Sequence, residues 1–174
     1  PLRILAPDHG VVWRCDPVRV VRWTRAWCER KPTDKVVVVA ASMWGSTERM
    51  AHAVADGLQE AGLVAKVMPL ASNHRSDVAT EMLTAGALVV GTPTINNNLF
   101  PTVADLLSYL KGLKPKSLIG GAFGSFGWSG EGAKQVQEAL TAMKIDCPEP
   151  PLAVRYVPGE AELEACHAFG GRIA

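Results

Sequence analysis

Four consecutive valines, Val36 to Val39, lie inside the apolar run Lys35 to Ala41, which passes directly into Ser42-Met43-Trp44-Gly45-Ser46-Thr47 and then a helical pattern. An unbroken apolar run of strand length has no polar face to turn to water. It must be covered on both sides, as in a parallel sheet flanked by helices. The rest of the chain repeats the unit. Met50, Val54, Leu58 and Ala61 recur at helical spacing from about Ser46, and Gly62 supplies a C-terminal stop. Leu63 to Leu70 predicts a second strand, Arg75 to Thr84 a helix, and Ala87 to Val90 a third strand closed by Gly91. Pro101 opens a helix through Leu106, Leu107 and Leu110, and Leu118 to Phe123 predicts a fourth strand. Gly130 to Met143 is helical, Leu152 to Val157 is the last strand and Glu160 to Phe169 the last helix. Five successive βα units predict an α/β fold with a doubly wound, five-stranded parallel sheet and right-handed crossovers.

The residues before this alternation differ in charge. Residues 1–35 carry eight Lys/Arg against four Asp/Glu, a net +4, while the remainder carries ten against thirteen, a net −3. The change of sign implies two pieces, and the polar stretch Glu29-Arg30-Lys31-Pro32-Thr33-Asp34 is the natural linker, giving units 1–31 and 32–174. Pro17 to Cys28 predicts a helix with Val20, Trp23 and Trp27 toward a core and Arg19, Arg22 and Arg25 on another side. That arginine stripe is either a solvated face or a docking stripe for an acidic redox partner. Cys15, Cys28, Cys147 and Cys166 have no C-x-x-C spacing and predict free thiols of a reducing cytoplasm. No membrane-spanning run or cleavable signal is visible, and no nucleic-acid partner is expected. A start at Pro1 rather than Met leads to the expectation of a fragment.

In a doubly wound sheet, ligands bind beyond the carboxyl ends of the strands, where the strand order switches. Ser42-Met43-Trp44-Gly45-Ser46-Thr47 places three hydroxyls and a run of main-chain N–H groups at a helix start. Those groups and the helix dipole favour an anion. The loop holds no Lys or Arg and lacks G-x-x-x-x-G-K-[ST], so a nucleoside triphosphate is disfavoured and a phosphate monoester fits; no G-x-G-x-x-G signals a dinucleotide. The bland alternative is that Ser46 merely caps the helix. Thr92, Pro93, Thr94, Ile95, Asn96, Asn97 and Asn98 follow the third strand, and Gly124, Ser125, Phe126, Gly127, Trp128, Ser129 and Gly130 the fourth. The asparagines tolerate left-handed backbone and can hold a tight turn at a ring edge. Trp44 and Trp128 stand on loops, where stacking on a flat heteroaromatic ligand would account for them; packing on a neighbouring helix is the alternative.

These three segments resemble the FMN-binding loops of the flavodoxin-like domain of the flavodiiron proteins, or A-type flavoproteins. The resemblance covers essentially the whole chain. It implies a flavodoxin-like fold with FMN held by Ser42, Met43, Trp44, Gly45, Ser46 and Thr47, by Thr92, Pro93, Thr94, Ile95, Asn96 and Asn97, and by Ser125, Phe126, Gly127, Trp128, Ser129 and Gly130. In that family the flavin domain follows a metallo-β-lactamase-like domain with a non-haem diiron centre. Pro7-Asp8-His9-Gly10-Val11-Val12-Trp13-Arg14 is similar to the end of that domain, which would make residues 1–31 its remnant and His9 its last iron ligand. This chain departs from the family at Ala40-Ala41, where a Tyr-Asp pair is frequent, and at Ser42, where Thr is usual.

The resemblance implies that FMN takes electrons from a donor such as rubredoxin and passes them to the diiron centre, where O₂ or NO is reduced. It also implies a head-to-tail homodimer or tetramer. No residue here has the setting of a catalytic nucleophile or base, and His52, His74 and His167 are expected on exposed helical surface. Competing readings are a free flavodoxin carrier, against which the pI of about 8.2 argues, and a flavodoxin-like quinone reductase. A receiver-type signalling module would need strand-end acids for Mg²⁺ where this chain has Ala40-Ala41.

Overall fold

The computed structural model describes residues 2–174; Pro1, on which the fragment expectation rests, lies outside the described residues. The chain divides between Lys31 and Pro32 into two compact units. In the first, Leu5 and Trp13 form an antiparallel bridge, their main-chain N–H groups donating over 3.0 and 2.8 Å. Helix α1, Pro17–Glu29, starts on Pro17, whose missing N–H costs nothing in a first turn. Trp13 meets Trp23 edge-on at 5.9 Å, and Trp23 stacks on Trp27 at 6.3 Å. Val20, Trp23 and Trp27 reach only intermediate burial, because so short a unit cannot enclose them. The arginines on the other side are engaged locally: Arg22 with Asp16 at 3.5 Å, Arg25 with Glu29 at 2.9 Å, and Arg19 over the Trp23 ring at 4.4 Å.

The second unit alternates strands and helices: β1 Thr33–Ala40, α2 Ser46–Glu60, β2 Val64–Pro69, α3 Arg75–Met82, β3 Ala85–Ile95, β4 Asn98–Leu99, α4 Pro101–Leu113, β5 Ile119–Phe126, α5 Glu131–Ala142, β6 Leu152–Arg155 and α6 Glu160–Ile173. The parallel path runs β2-β1-β3-β5-β6, as the alternation required, and the short β4 is an antiparallel addition to β3. The valine run explains both cores. Val37 and Val39 face one side with Leu88, Val90, Leu106, Leu110, Val136 and Leu140, beneath α3, α4 and α5. Val36 and Val38 face the other with Met50, Val54, Leu58, Val89, Phe123 and Phe169, beneath α2 and α6. On that second side the helices touch backbone to backbone: a Cβ on Gly57 would lie 1.9 Å from the His167 carbonyl oxygen, and one on Gly170 2.2 Å from that of Val54.

Several boundaries differ from the sequence expectation: β1 already begins at Thr33, inside the stretch expected as linker, β5 runs on to Phe126, β6 ends at Arg155 and α6 reaches Ile173. Strand β3 continues past Gly91 to Ile95. Gly91 does not close it; the missing side chain makes room for the Phe123 ring, 2.3 Å from where a Cβ would stand. Pro93 is tolerated because β3 pairs with β1 only as far as Gly91, so the absent N–H points where β1 has already ended. Helix α3 stops at Met82, short of Thr84, and His74 precedes it as its N-cap rather than lying in it. The His74 Nδ1 accepts from the Ser76 N–H at 3.3 Å, and Asp77 accepts from the His74 N–H at 2.9 Å. His167 is half-buried, its Nε2 lying 2.8 Å from a Glu60 carboxylate oxygen, while His52 is exposed.

Candidate functional site

Three loops leave the carboxyl ends of β1, β3 and β5, which are adjacent in the sheet. From β1 the path goes outward to β2 on one side and to β3 on the other, so the loops lie at the switch in strand order.

The first loop ends in Gly45, at φ 85°, a left-handed conformation that suits glycine. Gly45, not Ser46, is the N-cap of α2, and no side chain among the described residues caps that helix. The Gly45 N–H donates instead to Ser42 Oγ at 3.0 Å, folding the loop back on itself. The first-turn amides of α2 and the half-buried Ser46 hydroxyl are thus left for an anion. Thr47 is fully buried, and its hydroxyl lies 2.8 Å from that of the buried Ser125, tying the first loop to the end of β5.

The second loop is a two-residue hairpin turn. Asn96 and Asn97 have φ 50° and 58°, and Ile95 pairs with Asn98 across them. Both central residues left-handed define the turn whose twist matches a β-ribbon, and asparagine is the non-glycine residue that best tolerates it. Thr92 braces the turn from below: its buried hydroxyl donates to the Pro93 carbonyl at 3.0 Å and accepts from the Phe100 N–H at 2.9 Å. Thr94 Oγ1 accepts from the Gly132 N–H at 3.2 Å.

The third loop is bound to the second. Ser129 Oγ lies 2.9 Å from Asn97 Oδ1, and Gln135 Nε2 donates to the Asn97 carbonyl at 3.2 Å while its Oε1 accepts from the Leu99 N–H at 2.9 Å. On its far side, the Tyr156 N–H donates to the Phe126 carbonyl at 2.7 Å and Arg155 Nε to that of Gly127 at 3.2 Å. Glu131, half-buried in the first turn of α5, has its carboxyl held below the usual carboxylate range, first by the Ser129 hydroxyl and then by its own main-chain N–H.

The eighteen residues singled out in the sequence divide by burial. Thr47, Thr92, Pro93 and Ser125 are buried, whereas Met43, Trp44, Asn96, Asn97 and Trp128 are exposed. Gly45, Ser46, Thr94, Ile95, Phe126, Gly127, Ser129 and Gly130 are intermediate, as is Ser42. The two tryptophan rings are 92% and 95% exposed, so neither packs on a neighbouring helix. Two large aromatic rings in water beside an uncapped helix start fit a flat, phosphorylated heteroaromatic ligand. Gln135, Arg155 and Tyr156 were not singled out from the sequence. Tyr156, at φ 65°, follows β6 at the same carboxyl edge, and that position was the signal available. His9 is exposed in the first unit, and no three His, Cys, Asp or Glu residues among those described converge on a metal position. No helix among the described residues is long and apolar enough to cross a membrane.

Comparison with known proteins agrees with this fold. The flavodoxin family model matches residues 38–170. The nitric oxide reductase of Moorella thermoacetica is 42% identical over 99% of this chain and 44% of its own length. The rubredoxin-oxygen oxidoreductase of Megalodesulfovibrio gigas is 44% identical over 98% of this chain and 43% of its own. Among solved structures, the rubredoxin oxygen:oxidoreductase of Desulfovibrio gigas superposes with a TM-score of 0.92 at 43% identity, covering 98% of this chain and 43% of that one. The flavodiiron protein of Giardia intestinalis gives 0.90 at 30% identity, over 99% and 43%. The chain thus spans less than half the length of the curated relatives it matches. It belongs to the flavodoxin family, and within it to the FMN-binding flavodoxin-like domains found in flavodiiron proteins.

Proposed function

We propose that this chain is the electron-transferring FMN domain of a flavodiiron oxygen or nitric oxide reductase, and that the three loops described above hold the flavin. The observation that carries the site assignment is the pair of solvent-exposed tryptophans, Trp44 and Trp128, on either side of the β3 loop beside the uncapped start of α2. Ser42, Ser46 and the first-turn amides of α2 would take the phosphate, Trp44 and Trp128 the faces of the ring system, and the Asn96–Asn97 turn its polar edge. FMN supplies the capacity to accept and release electrons singly. The protein's own contribution is to bind and orient it, and to limit the access of water to the ring through Trp44, Trp128 and Met43.

For the complete protein we propose, from the names of the relatives, a rubredoxin-type electron donor and O₂ or NO as substrate. Residues 1–31 then end a metallo-β-lactamase-like domain, with His9 among the ligands of its diiron centre. The complete protein is read as a cytoplasmic, head-to-tail homodimer or tetramer, in which the flavin of one subunit serves the iron of the other. His9→Ala in the complete protein should then lower iron content and turnover and leave flavin content intact.

The test of the flavin site separates phosphate from ring. Ser46→Ala should weaken FMN binding by about 10- to 100-fold, the value of a hydrogen bond to a charged group, while riboflavin affinity stays within about twofold. Fluorescence titration of the 174-residue chain measures both. Equal loss for the two ligands would remove this loop from the phosphate.

A further inference from the structure

The seven lysines of the second unit fall into two groups. Lys35 and Lys66 are ion-paired with Glu81, and Lys134 lies 3.9 Å from Glu138. The other four, Lys111, Lys114, Lys116 and Lys144, line a single cleft of about 460 Å³ together with Pro115 and Met143. No carboxylate lines it, and Lys111, Lys114 and Lys144 have no ion pair among the described residues. The cleft is formed by the ends of α4 and α5 and the segment entering β5, at the amino end of the sheet, opposite the three loops. A lysine can complement a helix C-terminus, but each end is worth only about −0.5 charge, so two neutralise about one lysine of the four. The field at the cleft is therefore positive, in a unit whose eleven Lys/Arg and fourteen Asp/Glu give it a net charge of −3. The backbone is also strained here. Lys114, Ser117 and Lys144 are left-handed, at φ 51°, 55° and 64°. Lys144 follows the C-cap Met143, its N–H donating to the Thr141 carbonyl at 2.8 Å and that of Ile145 to the Leu140 carbonyl at 3.1 Å. Glycine ordinarily fills that position, because a Cβ is unfavourable there. Strain and mutual repulsion kept at one place without a partner inside the fold point to a partner outside it.

We propose that this cleft is a second ligand site, for an organic anion bearing a di- or triphosphate, at the end of the sheet away from the flavin loops. Lysine ammonium groups are mobile point charges that can follow a chain of phosphates. A single phosphate monoester carries about −2, half of what the four lysines offer, so a longer phosphate chain matches them better. Pro115, Met143 and the aliphatic stems of the lysines give the organic part an apolar wall. The volume falls within the range of small-molecule sites, about 300–1,000 Å³. The site needs no flavin and stands apart from the residues assigned to it.

The 174-residue chain is titrated by calorimetry at low ionic strength with magnesium-free ATP, tripolyphosphate and adenosine, and main-chain NMR shifts locate each probe. ATP should bind most tightly, tripolyphosphate more weakly and adenosine not measurably, with shifts centred on residues 111–117 and 142–145. Lys114→Gln and Lys144→Gln should each weaken ATP about fivefold, the Coulomb energy of one charge pair about 4 Å apart in water, and together about 25-fold. Ser46→Ala should leave ATP binding unchanged. Lys144→Gly separates the ligand site from the helix end: glycine relaxes the backbone, so Tm should not fall, while ATP binding weakens as in Lys144→Gln. ATP shifts confined to the start of α2 would place the probe in the flavin loops and overturn the proposal. Shifts confined to Arg19, Arg22 and Arg25, or an ATP affinity indifferent to the two glutamine substitutions together, overturn it equally. So does binding of a poly-glutamate peptide to the cleft with neither phosphate probe bound. The lysine variants should leave FMN affinity unchanged, so each of these outcomes leaves the cofactor reading standing.

Discussion

The close approach of α2 and α6 sets a sharp condition on Gly57. An alanine there would place its methyl carbon 1.9 Å from the His167 carbonyl oxygen and 2.8 Å from the carbonyl carbon. Both are main-chain atoms inside a helix and cannot swing away. Carbon–oxygen contact begins near 3.3 Å, so the helices must part by roughly 1 Å or more. That opens the contacts of Val54, Leu58, Cys166 and Phe169, all fully buried or nearly so. Overpacking of this kind costs about 3 kcal/mol, the upper part of the usual range, because neither side can yield. The better helix propensity of alanine returns about 1 kcal/mol. The net loss of about 2 kcal/mol corresponds to a fall in Tm of about 4–8 °C for a chain of this size. Gly112, in α4, is the control: a Cβ there meets nothing within 4 Å among the described residues. Gly112→Ala should be neutral or raise stability by up to about 1 kcal/mol. Urea and thermal unfolding followed by circular dichroism give both values. If Gly57→Ala matches Gly112→Ala, the helices do not touch through their backbones. Because α2 begins at Ser46, Gly57→Ala should also weaken FMN binding without touching the loop.

Glu81 accepts from Lys66 at 2.8 Å and from Lys35, and these bonds, Lys35 first, hold its carboxyl below the ordinary value. A lowered folded pKa gives stability that is whole above the unfolded value, about 4.3 for glutamate, and is lost as pH falls through the folded one. Glu81→Gln should therefore be less stable at neutral pH and lose less on acidification, as urea midpoints between neutral and acid pH will show. Thr47→Val leaves the buried Ser125 hydroxyl without its 2.8 Å partner and should cost about 1–3 kcal/mol; Ser125→Ala in the same chain should recover part of it. Burial pushes the Cys166 thiol up to about 11, while Cys15 and Cys28 are exposed. A thiol reagent at neutral pH should label the exposed pair at once and Cys166 only on unfolding.

What the sequence disclosed was periodic or compositional. The valine run announced a strand buried on both faces because a period-two element with no polar face has no other solution. Asn96 and Asn97 announced a left-handed turn through a property each residue carries alone. The extension of β3 through Gly91 and Pro93 was hidden because both residues break strands locally, and their tolerance depends on the Phe123 ring and on where β1 ends. The difference between two residues of the first loop was hidden for a similar reason. Ser46 and Thr47 are chemically alike, and only the partner at Ser125, far along the chain, engages the hydroxyl of one and not of the other.

The two cores share their walls. Strands β1 and β3 contribute alternate side chains to both, Val37, Val39, Leu88 and Val90 to one and Val36, Val38, Ala87 and Val89 to the other. Neither layer of helices can detach without exposing the same strands, so the amides of β1 and β3 should exchange with deuterium only through global opening, while those of the exposed loop residues Met43, Trp44 and Asn97 exchange locally. The candidate site is thus mounted on the slowest-exchanging part of the molecule, and a ligand can enter and leave by movements of the loop tips that never reach the sheet.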